Sequence, residues 1–524
     1  MLLNKKRIIY LILFLLVFLS FAVRINSLRS SFVLDDYRLI IDNSFIQNIS
    51  NFFVLLNPKN FFDVLPVVCG ARPLALLSLM TDFALFGYNP SGYHFINLSL
   101  HCLNSVLLFL FVLGIKKKYG FAFFAALFFS LHPIQSEVVN VASFRADLLA
   151  VFFILVFFNF ANMIRNTNDN KPKIVTLMIV AFLCALFSKE NSVVIPFVLL
   201  PYCIFFYGKN RTKYFFIAAA AVLTAVFLFF FWLERFPVPF YDLIYPNIET
   251  NTAPLDSFVS YISNISAALW YNFSHLVYPV NLSVDYLVRY SFAMFIFAGL
   301  FITLIVFAVF KGKDKFFKFA LFFAAVAYIP VSNVVPLVNT VADRYLYLPM
   351  AAISIIFAYG VDFLFRNIRR ISVSVFLIIL FLIYGFISFQ RGIVYSNQYN
   401  LYYDASLKNP QNVRVAYNMA VAYLANGEYK EAIKQFEKVS LINPVYKREN
   451  VWLLTGEAYE LSGDKEQAKK YYLKAFLVNS SDFDISNKFV GSFESPEQAK
   501  KYLLGNTSKI SREMILNFEK TVRK

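Results

Sequence analysis

A chain of 524 residues that is 59% hydrophobic, 19% aromatic and only 15% charged lies outside the soluble globular class and reads as a polytopic membrane protein. Its net charge of +17 raises nucleic acid as a partner, but Lys and Arg fall in short clusters between apolar runs. Nucleic-acid binding needs a continuous basic face with exposed aromatics, and none is present in the sequence.

The first apolar run, Ile8 to Val23, lacks a small-residue cleavage site and is followed by further runs, so it reads as a retained anchor. A helix needs about 20 apolar residues to cross the hydrocarbon core. Spans are expected near 8–23, 92–113, 119–132, 145–164, 173–188, 192–207, 214–233, 290–310, 317–335, 345–365 and 371–389, about eleven in all. The basic clusters Lys5–Arg7, Lys116–Lys118, Arg165 with Lys171 and Lys173, Lys209–Lys213, Lys311–Lys318 and Arg366–Arg370 then all fall on one side, cytoplasmic by the positive-inside rule. An odd number of crossings puts everything beyond residue 390 on the opposite side, together with Asp35 and Asp36. Cys69, Cys102, Cys184 and Cys203 lack metal spacing and read as membrane-buried thiols.

Two outer stretches look interfacial. Arg72–Gly87 has Pro73 at a first helical position and Gly87 as a stop, but it is short and carries Asp82. The segment 261–279, with Trp270, Tyr271, His275 and Tyr278, lies on the membrane surface or forms a further span.

The tail is different in kind. Charge becomes frequent after Tyr399, and a period emerges: Tyr423, Ala432 and Phe436 recur 36 residues later as Tyr459, Ala468 and Tyr472. Trp452, Gly456 and Ala475 fill the small and aromatic positions of a tetratricopeptide pattern. The division expected is a transmembrane domain at 1–390 and a repeat domain at 391–524. The latter comprises a half repeat at 396–410, full repeats at 413–446 and 449–482, and a helical cap. Stacked helix pairs of this kind form a face for peptides. The fold class is all-α.

Chemistry-bearing residues gather at the outer ends of the spans. Asp35 and Asp36 follow the first; His132 and Glu137 close the third; Arg145 and Asp147 open the fourth; Lys189 and Glu190 follow the fifth; Asp343, Arg344 and Tyr345 precede the tenth. Ionisable groups at a membrane boundary carry a functional expectation, although Arg145 with Asp147 and Lys189 with Glu190 also suit snorkelling caps. Five such sites on one face favour a shared polar site.

In order, Asp35-Asp36, Arg72-Pro-Leu, Leu85–Asn97, His132-Pro with Glu137, Arg145-Ala-Asp, Lys189-Glu190, Pro330–Asn333 and Asp343-Arg-Tyr-Leu-Tyr-Leu-Pro349 form a pattern completed by the repeats. It resembles the transmembrane-and-tetratricopeptide O-mannosyltransferases and their prokaryotic relatives, within the GT-C glycosyltransferases. The resemblance implies inverting transfer of a sugar, mannose or another hexose, from a polyprenyl-phosphate donor to a hydroxyl acceptor such as protein Ser or Thr on the non-cytoplasmic face. An acceptor hydroxyl then needs a carboxylate base, with Asp36 the first choice and Asp35 the second. A departing lipid phosphate needs positive charge, for which Arg145, Lys189 and Arg344 are candidates. Glu137 and His132 would orient the acceptor, and Arg72, Asp147, Glu190, Asp343 and Tyr345 would support the site. A divalent cation, if used, would sit on Asp35, Asp36 and Glu137. A protein acceptor or partner on the repeats, and a prokaryotic plasma membrane rather than the endoplasmic reticulum, complete the expectation. Transfer to a lipid or cell-surface glycan, and a non-enzymatic scaffold or transporter, are the alternatives.

Overall fold

The structure, a computed structural model, describes residues 2–57, 60, 72–166, 171–207, 258–506 and 511–523. The expected span at 214–233, the cluster Lys209–Lys213 and Cys69 lie outside the described residues. The described elements are all helical. They form two compact units, one reaching Asn400 and the other holding Asp285–Leu287 and the residues from Leu401 onward.

The first unit contains α1 (Leu2–Arg24), α2 (Pro73–Phe86), α3 (Pro90–Lys116), α4 (Tyr119–Leu131), α5 (Ser136–Asn140), α6 (Arg145–Asn166), α7 (Lys171–Ser188) and α8 (Ile195–Phe206). It continues through α9 (Phe258–Val277), α10 (Phe292–Lys311), α11 (Lys315–Tyr328), α12 (Tyr347–Asn367) and α13 (Arg370–Val394). Among the described residues, seven helices are long and apolar enough to cross a membrane: those at α1, α3, α6, α7, α10, α12 and α13. The number becomes eight if α4 and α5, bent by 51° at His132, count as one span. The expected figure of eleven is therefore not established. The 14 residues of α11 cover only about 21 Å at 1.5 Å per residue, short of a roughly 30 Å hydrocarbon core.

Helix α2 starts on Pro73 and stops at Gly87, whose φ of +56° suits a residue without a Cβ. Helix α9 is 20 residues long but buries Asn264, Asn272 and His275, and it does not reach the composition of a span. The core between α3, α6, α8 and α11 is an aromatic lattice of Phe111, Phe158, Tyr202, Phe319 and Phe323. Rings fill this space with large apolar area and edge-to-face contacts.

Basic residues converge at one end of this unit. Lys116 Nζ lies 2.6 Å from Asp314 Oδ2, Tyr359 donates to Asp314 Oδ1, and Lys118 reaches Asp362. Burial would raise the Asp314 carboxyl, but Lys116 and Tyr359 hold it down at about 2. Helices α3, α11 and α12 are thereby tied together at the end opposite to the residues that begin α12.

The second unit stacks α14 (Gln398–Lys408, from Leu401), α15 (Val413–Ala425), α16 (Tyr429–Ile442), α17 (Arg448–Leu461), α18 (Lys465–Val478), α19 (Phe483–Gly491), α20 (Pro496–Asn506) and α21 (Arg512–Arg523). Helices α15 and α17 are each followed by a turn on a glycine in the positive-φ region, Gly427 at +78° and Gly463 at +94°. Asn412 and Asp464 cap α15 and α18 by accepting from backbone N–H groups of the first turn. Buried Ala432, Phe436, Ala468 and Tyr472 fill the seams between the paired helices.

Candidate active site

The two adjacent acids have different surroundings. Asp35 is exposed and Asp36 is fully buried. The carboxylate of Asp36 accepts from three backbone amides: Val33 N–H at 3.0 Å, Ala142 N–H at 3.3 Å and Ser143 N–H at 2.7 Å. It thus pins its own loop to the turn that precedes α6. Burial pushes this carboxyl up from 3.8 to about 6, while the amide donors pull the other way.

Arg344 lies within electrostatic reach of Asp35. Its backbone N–H donates to Glu137 Oε2 at 2.8 Å and its Nη1 to Oε1 at 2.5 Å. Glu137 is 1% exposed, so the pair is anchored on a buried carboxylate. The guanidinium also lies over Phe144 (4.8 Å) and Tyr345 (5.2 Å), rings that fix its plane. Glu137 takes Nη1, and among the described residues no hydrogen bond engages Nε or Nη2. Asp343, buried beside Arg344, is 3.7 Å from His275 Nδ1 on α9.

The other expected cations are engaged differently. Arg145 is fully buried at the start of α6. It meets Asp82 at 2.7 Å, Ser78 Oγ at 2.9 Å, the Tyr93 carbonyl at 2.9 Å and the side chain of Asn97. A guanidinium with that many protein partners ties α2, α3 and α6 together. Lys189 Nζ is 2.6 Å from Asp147 Oδ1, and both side chains are nearly buried. Next to it Arg72 holds Glu190 with two parallel bonds of 2.8 and 3.0 Å. Both partners of that pair remain about one-third exposed. Burial would raise the Glu190 carboxyl, but the charges of Arg72 and Lys189 win and hold it at about 2.

His132 has both ring nitrogens occupied by backbone. Nδ1 accepts from Ile134 N–H at 3.2 Å, and Nε2 faces the Leu276 carbonyl at 3.1 Å, so the proton sits on Nε2. It shapes the bend between α4 and α5. Among the described residues no three His, Cys, Asp or Glu side chains come close enough to hold a metal ion. The trio expected for a cation is dispersed, Asp36 facing amides and Glu137 facing Arg344, so these residues do not fit a metal centre.

Three residues here escape notice in the sequence. Arg24, fully buried at the end of α1, donates to the carbonyls of Ser130 (2.6 Å) and His132 (3.3 Å) where α4 ends; His101 Nε2 and Gln135 N–H meet the same two carbonyls. Leu34 has a φ of +54°, and its N–H donates to Gln398 Oε1 at 3.0 Å. An Arg at the end of an apolar run is the one available signal. Nothing local marks Leu34 or Gln398.

Tetratricopeptide-repeat family models match residues 399–454 and 449–482. The chain is similar to the Protein O-mannosyl-transferase F38B6.6 of Caenorhabditis elegans, 24% identical over 460 residues, covering 83% of this chain and 63% of that protein. It is also similar to human Protein O-mannosyl-transferase TMTC1, at 26% identity covering 71% and 48%, and to human TMTC3, at 24% covering 86% and 53%. The chain spans from about half to just under two thirds of the length of these curated relatives. It is thus a multi-pass membrane protein that resembles the protein O-mannosyl-transferases over most of its own length and carries tetratricopeptide repeats near its C-terminal end.

Proposed function

We propose that the chain is a membrane glycosyltransferase that moves a hexose, mannose first, from a polyprenyl-phosphate carrier to a protein hydroxyl on the non-cytoplasmic face. The observation that carries this reading is the exposed Asp35 within electrostatic range of an Arg344 whose orientation is set by buried Glu137. The names of the relatives supply the reaction class.

In this reading the acceptor O–H gives its proton to the Asp35 carboxylate while its oxygen bonds to the anomeric carbon. The bond from that carbon to the phosphate oxygen breaks, and the lipid phosphate leaves with the electron pair. Attack opposite to the leaving group inverts the anomeric configuration. Asp35 takes the role of base from Asp36, because a base must reach the proton it removes and Asp36 is enclosed by amide donors. Arg344 meets the charge growing on the phosphate, with Glu137 and Phe144 preventing it from swinging away. Arg145 and the Lys189–Asp147 pair hold the helices that frame the site.

The test is transfer of labelled sugar from a synthetic mannosyl-phosphopolyprenol to an unfolded Ser/Thr-rich polypeptide by the full chain in detergent. Asp35→Asn is expected to lower the rate by about 100-fold or more, the usual contribution of a positioned base. A folded Asp35→Asn protein that transfers at the wild-type rate removes Asp35 from the mechanism. Wild-type protein that consumes no lipid-linked hexose in the presence of any hydroxyl acceptor overturns the function.

A further inference from the structure

The loop that carries the two acids holds a shape its sequence does not favour. Leu34 lies in the left-handed region at φ +54°, where the Cβ of an ordinary L-residue is crowded. Such conformations persist only where the surroundings over-determine them. Here they do. Leu34 N–H is held by Gln398 Oε1, and Ser31 N–H by the Ser396 carbonyl at 2.8 Å. On the other side Asp36 N–H returns to the Val33 carbonyl at 3.1 Å, and the Asp36 side chain holds Val33 N–H.

This reversal decides which acid faces outward. Val33 is buried, Leu34 turns the chain, Asp35 emerges exposed and Asp36 returns to the interior. Val33 and Asp36 are gripped by groups within the loop and by the turn before α6. The N–H of Leu34 instead depends on one side chain 364 residues away. Gln398 is also the first residue of α14, one position before the region matched by the tetratricopeptide models.

We propose that Gln398 is a positioning residue for Asp35: by accepting from Leu34 N–H it holds the left-handed turn that leaves Asp35 exposed. The proposal rests on Asp35 being the reacting carboxylate, but the turn itself can be tested without catalysis. Gln398 touches no reacting atom; it acts through the backbone of Leu34.

Two measurements on the full chain in detergent separate these points. In the first, Asp35→Cys reports the exposure of position 35 by its rate of maleimide modification, located by peptide mass. Adding Gln398→Ala is expected to change that rate. Gln398→Glu, which keeps an acceptor, should preserve it. Adding Leu34→Gly to Gln398→Ala should restore it, since glycine adopts positive φ without help. In the second, with Asp35 intact, Gln398→Ala is expected to lower kcat by about tenfold or more while leaving donor KM unchanged, again with rescue by Leu34→Gly. Should Gln398→Ala fail to accumulate as folded protein, Gln398→Asn, one methylene too short, replaces it. An unchanged labelling rate, or a loss that Leu34→Gly does not rescue, overturns the proposal. Altered labelling together with a fully active Asp35→Asn instead overturns the reading of Asp35 as base and leaves the positioning role standing.

Discussion

At the scale of single residues, neighbours in sequence have opposite physical fates. Asp35 and Asp36 carry the same group, yet one is exposed and the other accepts three amides inside the protein. A buried carboxyl whose value is raised to about 6 binds its proton more tightly in the folded state than in the unfolded one. Its contribution to stability is therefore most favourable below pH 4 and is lost as pH rises through 4 to 6. By linkage the loss is roughly 3 kcal/mol, at about 1.4 per unit. Asp36→Asn is expected to remove that segment of the pH dependence of thermal unfolding in detergent. Below pH 4 it should destabilise by about 1–3 kcal/mol, because an NH₂ group replaces one acceptor among amide donors, and by less at neutral pH, where the wild type carries the cost of the buried charge. A pH profile of unfolding identical to wild type would show that Asp36 does not titrate with the fold. The pair was visible in the sequence as two acids just past the first span. Which acid is available was not, because that depends on Leu34, on amides 106 and 107 residues away and on Gln398.

At the scale of elements, helix ends govern the site. Helix α4 stops at Leu131, and Arg24 from α1 adds a charged donor to the Ser130 and His132 carbonyls. Arg24→Met is expected to lower stability by about 2–3 kcal/mol, the usual worth of hydrogen bonds to a charged group. Differential scanning of the purified chain would detect it, and an unchanged midpoint would mean that His101 and Gln135 suffice for those carbonyls. In the repeats, a Cβ on Gly456 would come within 2.7 Å of the Tyr472 ring, which is fully buried. Gly456→Ala should therefore cost about 1–3 kcal/mol through overpacking, read as earlier proteolysis of the 401–524 region. Gly505→Ala, where nothing lies within 4 Å, is the matched control and should be neutral or slightly stabilising. Equal behaviour of the two would deny that α17 and α18 need the small residue. The 36-residue spacing made Tyr472 legible and the tetratricopeptide pattern Gly456, since close helix pairs demand a small residue opposite a large one. The Arg24 contact was hidden, because its partners are backbone carbonyls and carry no residue signature.

At the scale of the whole first unit, charge separates by end. Lys116, Lys118, Asp314, Tyr359 and Asp362 meet at one end, while Arg344, Glu137 and Asp343 sit where α12 begins. Asp362 lies 15 residues beyond Tyr347 on α12, which puts the two groups about 20 Å apart along the helix. In sealed vesicles, Lys313→Cys and Asp35→Cys, each made without the native cysteines, should react with an impermeant maleimide from opposite faces. Labelling of both from one face would overturn the topology.

What the sequence determined by itself was the membrane class, the helical content, the repeat region and the list of ionisable residues. Each follows from composition or a short-range period: apolar length, a 36-residue recurrence, charge at the edges of spans. The tertiary structure alone decided which of those residues are buried with partners and which are exposed. It buried Arg145 among four partners, paired Lys189 with Asp147 and enclosed Asp36 in amides, leaving Asp35 exposed. Sequence position does not reveal such pairings because the low-dielectric interior obliges each buried charge to find a partner, and the partner is supplied by whichever distant segment the fold brings near.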